Sequence, residues 1–109
     1  STGSNSAIKL YIIQNVDRKL PLSDIASSKG MEMPEFIKEM ESIVFSGTKL
    51  NIDYWIDEIL DEDQQEEIHE YFMESESDKI SDAIDEFDGD YDDEELRLYR
   101  IKFMSEVAN

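Results

Sequence analysis

All of the net charge of this chain lies in its second half. Residues 1–52 carry six basic and six acidic side chains, whereas residues 53–109 carry 22 acidic and four basic ones, Lys79, Arg97, Arg100 and Lys102. A segment so rich in carboxylates folds by burying short apolar stripes and leaving acidic faces in water. With 109 residues and an apolar share of 39%, one domain or two very small ones with a modest core is the expected size. No run of about 18 apolar residues is present, so no membrane span is expected. The absence of cysteine excludes disulfides, thiolate catalysis and Cys-ligated metal sites, and fits a reducing compartment, with the cytoplasm as the expected location.

Punctuation by Pro and Gly divides the chain into short helices. Residues 1–6, Ser-Thr-Gly-Ser-Asn-Ser, lack an apolar anchor and read as an expression-tag remnant, expected to be disordered. Ile8, Tyr11, Ile12 and Val16 mark a first helix over 7–16. Pro21 opens a second, about 23–29, with Ser23 as the expected N-cap, and Gly30 stands where a helix stop needs positive φ. Pro34 suits the first turn of a third helix, about 34–45, whose Phe36, Ile37, Met40, Ile43 and Val44 form a wide stripe. Leu50, Ile52 and Tyr54 then alternate with polar neighbours, which predicts a short strand or wing. Helical spacing returns around Trp55–Leu60, 62–74, 77–87 and 92–107, with Asp88-Gly89-Asp90 as a turn. In the last helix Leu96, Tyr99, Phe103 and Val107 form the expected inner face, and acidic residues open the first turn. The fold class is mostly α: a winged-helix-like helix-turn-helix over 7–60, followed by a cluster of short acidic helices over 61–109 packed on it.

Helix, Gly turn, helix and wing is the order of a DNA-reading winged helix. The exposed side of the third helix would present Glu35, Lys38, Glu39, Glu41 and Ser42, a net acidic face that disfavours groove entry. Tyr54 and Trp55 are expected in the core rather than stacked on a base. Other chemistry finds little support. A calcium loop with Gly89 at its sixth position would put Ile84 where the first carboxylate must sit. His69 has no second His or Cys to share a metal, and no phosphate loop or nucleophile motif occurs. The expectation is therefore no catalytic residue, no metal site and no bound cofactor within this chain.

The order of these features resembles the helix-turn-helix module near the C-terminus of bacterial RecQ-family ATP-dependent DNA helicases. The likeness rests on Leu22 with Ile25-Ala26, Gly30, Gly47 and Leu50-Asn51-Ile52-Asp53. It continues through Asp61 to Ile68, Ser77-Asp78-Lys79-Ile80 and Tyr91 to Leu98. It implies an accessory domain of an enzyme that unwinds duplex DNA 3′ to 5′ with ATP and magnesium, in recombination and repair. The motor's own motifs are absent from this chain. Two functional expectations follow. Lys29, Lys38, Thr48 and Lys49 place DNA weakly through phosphate contacts made by the neutral half. Alternatively, the acidic half docks on a basic protein surface, such as the helicase motor, as an interaction or autoinhibitory module.

Overall fold

A computed structural model describes residues 2–107, with side chains from residue 6 onward. Among the described residues seven helices follow one another: α1 Thr2–Asp17, α2 Leu22–Ser28, α3 Met33–Phe45, α4 Asp53–Ile59, α5 Glu62–Glu74, α6 Ile80–Glu86 and α7 Asp93–Val107. No strand occurs among the described residues. α1 begins at Thr2, so residues 2–6, expected to be disordered, continue the first helix; Ser1 lies outside the described residues. Extending a formed helix adds one hydrogen bond per residue fixed, which lets a polar segment join it without an apolar anchor.

The predicted wing is the main correction. Leu50 and Ile52 are buried while Asn51 is exposed, as the alternation implies, yet the segment has no partner strand. The Leu50 N–H instead donates to Ser105 Oγ of α7 at 3.0 Å. Ile52 turns into the N-cap position of α4, and the Asp53 N–H donates to Asn51 Oδ1 at 3.1 Å. Period-two burial is thus met by an irregular connection held to α7. Tyr54, placed on the strand by pattern, belongs to α4.

Local chemistry sets the other boundaries. Pro21, not Ser23, occupies the N-cap of α2, and Ser23 lies inside the helix. Gly30 takes φ +67°, as its place after α2 demands. Asp61 caps α5 with a complete capping box, its carboxylate accepting from Gln64 N while Gln64 Oε1 accepts from Asp61 N. Asp92 and Glu95 repeat that reciprocal pair before α7. α6 begins at Ile80 rather than near Ser77, because Ser75 Oγ and Ser77 Oγ accept the N–H groups of Ser77 and Lys79 and hold that stretch in local turns.

α7 is the centre of the molecule. It packs most extensively on α3 and also touches α4, α5 and α6. Leu96, Leu98, Tyr99 and Ile101 are all buried, whereas Val107, expected on the inner face, is half exposed and Phe103 is half-buried. Helices surrounded by neighbours bury more than one face, and no single stripe describes them. One apolar core runs from Ile12 and Val16 of α1 through Phe36 and Met40 of α3 to Ile68, Ala83 and Leu96.

Candidate nucleic-acid interface

The helix-turn-helix is built by α2, the turn at residues 29–32 and α3. The turn is closed by N–H groups of Lys29 and Met31 donating to the Ala26 carbonyl and by Gly30 N donating to Ser27 O. Behind it, the α3 stripe Phe36, Ile37, Met40, Ile43 and Val44 is buried. Its outer side shows Glu35, Lys38 and Ser42, with Glu39 half-buried.

Glu41, expected on that outer side, is buried. Its Oε2 accepts from Arg97 Nη1 at 3.1 Å and from Arg100 Nη2 at 2.6 Å, both on α7. Arg97 Nε also binds Asp93 at 2.7 Å. That bond, together with Glu41, outweighs burial and raises the Arg97 pKa above its ordinary value. Arg100 Nη1 donates to the Asp78 carbonyl at 2.6 Å, tying α3 and α7 to the start of α6. The third cation of α7, Lys102, bridges Asp53 at 2.7 Å and Glu106 at 2.9 Å. Burial pulls its pKa down, but these two carboxylates more than offset that and leave it raised. Three of the four cations in the acidic half are therefore committed to internal pairs.

Each predicted contact residue is exposed, but they stand in separate surroundings. Lys29 caps the C-terminus of α2, with Nζ 4.4 Å from the Tyr11 ring centroid. The Tyr11 hydroxyl is itself 2.6 Å from Ser28 Oγ, which joins α1 to the turn. Lys38 flanks a hollow formed with Pro34, Ile37, Asp93, Glu94 and Arg97. Burial, and then the crowding of Asp92, Glu95 and Asp93, raises the Glu94 pKa there. Thr48 and Lys49 lie in the α3–α4 connection, Lys49 beside a hollow shared with Asp53, Lys102 and Glu106. A phosphate approaching Lys38 or Lys49 thus meets carboxylates of α4 or α7 as well.

The residues set aside as structural are placed accordingly. Tyr54 and Trp55 pack against the core, and the Tyr54 hydroxyl donates to the Leu20 carbonyl at 2.5 Å. His69 is half-buried, its Nδ1 3.3 Å from the Tyr99 hydroxyl and its ring edge-on to Phe103. Among the described residues no group of three or more His, Cys, Asp or Glu side chains is arranged to hold a metal ion. No helix among them is long and apolar enough to cross a membrane. What sequence reasoning missed is the Glu41–Arg97–Arg100 cluster. Its one local signal was a carboxylate directly beside the apolar stripe of α3.

No curated protein matches the chain. Residues 6–56 match the family model described as the RecQ-1-like helix-turn-helix domain. The matched segment runs from α1 into α4 and spans the α2–turn–α3 unit together with the connection after it. Over these residues the chain is similar to the RecQ-1-like helix-turn-helix domain, which supports a RecQ-family helix-turn-helix module.

Proposed function

We propose that this domain positions DNA for a 3′-to-5′ ATP-dependent helicase motor acting in recombination and repair in the cytoplasm, with ATP and magnesium handled by the motor. The observation that supports the reading is the exposure of Lys29, Lys38, Thr48 and Lys49 on the half of the chain without net charge. Three ammonium groups and a hydroxyl suit phosphate contacts, which fix register without reading sequence. Base readout has little to draw on, because the outer face of α3 offers one lysine among glutamates.

Three neutralised phosphates give a log–log salt slope near −2.7, so affinity for DNA falls about 40-fold between 50 and 200 mM salt. Fluorescence anisotropy with labelled single-stranded, duplex and forked DNA measures this directly. Replacing Lys38→Glu together with Lys49→Glu should abolish binding while circular dichroism stays unchanged. Undetectable binding at 50 mM salt, or binding indifferent to that double substitution, refutes the reading.

A second reading has an observation of its own. With Arg97, Arg100 and Lys102 committed to internal ion pairs, the outward field of α5, α6 and the first turn of α7 is strongly negative. Such a surface attracts a basic protein face, the helicase motor's DNA channel included, and repels phosphates.

A further inference from the structure

Two hollows meet across the connection between α5 and α6. The first, about 400 Å³, lies between the end of α5 and the second half of α7, with Phe72, Phe103, Met104 and Val107 as its apolar walls and Arg100 and Asp78 also lining it. Val107 is 50% exposed, an apolar side chain left in water at the mouth of this groove. The second, about 650 Å³, is lined by Glu67, Glu70, Glu74, Glu76, Asp82 and Glu86, with Tyr71 and Phe87 as aromatic walls. No Lys or Arg lines it. Ser75, Glu76 and Ser77 border both hollows, so the two form one continuous surface with an apolar end and an acidic end.

We propose that this joint surface seats a short segment of a partner protein that carries an apolar or aromatic anchor next to a run of Lys or Arg. The proposal rests on the reading of the acidic half as a docking surface, and adds where the partner sits and what it must carry. Charge complementarity selects the occupant. Six carboxylates converge in the second hollow with no cation among them, beside the aromatic walls Tyr71 and Phe87, and Arg100 at the first hollow is already paired with Glu41. The adjoining apolar walls include Met104, whose flexible thioether adapts to the shape of an inserted side chain. Nucleic acid, anionic lipid and a second copy of this chain would each bring negative charge to the same place and be repelled.

The test uses the intact chain and a dye-labelled heptapeptide with a central phenylalanine flanked by three lysines on either side, read by anisotropy at 50 mM salt. Glu70→Lys with Glu74→Lys should weaken binding at least tenfold. Glu58→Lys with Glu66→Lys, an equal charge change on exposed positions outside both hollows, should weaken it less than threefold. Serine in place of the peptide's phenylalanine should cost at least fivefold. Circular dichroism of each variant verifies that the helices are intact. Equal losses for the two charge pairs, or indifference to the serine exchange, overturn the joint surface while leaving diffuse acidic docking in place. Absence of peptide binding to the unaltered chain overturns both.

Discussion

Glu41→Gln offers a sharp test of how the two halves are held together. The Glu41 side chain is 8% exposed and its partner Arg100 11%, so both charges are desolvated and the pair persists because each satisfies the other. Removing one charge of a buried pair costs roughly 3–5 kcal/mol, chiefly because the other stays buried without compensation. The lower end applies here, since Arg100 keeps the Asp78 carbonyl and Arg97, a third exposed, keeps Asp93. We therefore predict a loss of about 3 kcal/mol. With a urea slope of about 1.5 kcal/mol/M, the unfolding midpoint drops by about 2 M at unchanged slope. The compensated variant Glu41→Leu with Arg100→Met should return to within about 1 kcal/mol of the parent, because replacing a whole buried pair by apolar groups is close to neutral. A midpoint shift below about 0.5 M for Glu41→Gln, or strictly additive losses in a Glu41/Arg100 double-mutant cycle, would refute the cluster as a coupled unit.

Tyr54 and Asp61 extend the set. Burial raises the Tyr54 pKa to about 12. Its folded value thus exceeds the unfolded value near 10, and the stability it contributes is complete below pH 10 and lost as pH rises through 12; a spectrophotometric tyrosine titration in which every tyrosine ionises near pH 10 while the fold persists would contradict this. Tyr54→Phe, which deletes the hydroxyl bound to Leu20, should cost about 1 kcal/mol in urea unfolding. Asp61→Ala removes half of a complete capping box and should also cost about 1 kcal/mol, with Asp61→Ser retaining most of it; equal stability of the Ala and Ser variants would show that the cap contributes nothing.

The parts of this fold that were legible in the sequence are those decided within one or two turns of chain. The α3 stripe from Phe36 to Val44, the Gly30 turn and the span of α5 are local matters of period, positive φ and capping, and the structure holds them as expected. The wing failed because a strand requires a partner, and alternation in Leu50 and Ile52 reports which side is buried, not what covers it. The centrality of α7 failed for a related reason. Leu98 and Ile101 lie off the stripe formed by Leu96 and Tyr99, and only packing against four other helices makes their burial intelligible. At the candidate interface, the exposure of Lys29, Lys38, Thr48 and Lys49 was legible, since turns and outer helix faces are local. The carboxylates facing Lys38 and Lys49 were not, because Asp93, Glu94 and Glu106 arrive from the far end of the chain.

That α7 supplies the core of helices preceding it by half the chain bears on how the domain is made. A ribosome releasing this polypeptide exposes Phe36, Met40 and Ile43 well before Leu96, Leu98 and Ile101 exist to cover them. We expect the nascent helix-turn-helix to stay open until α7 has emerged, when that helix closes the assembly in one step. A chain halted at residue 60 would then be cut readily by proteases at sites that the 109-residue chain protects, and equal protection of the two would show that the first four helices stand alone.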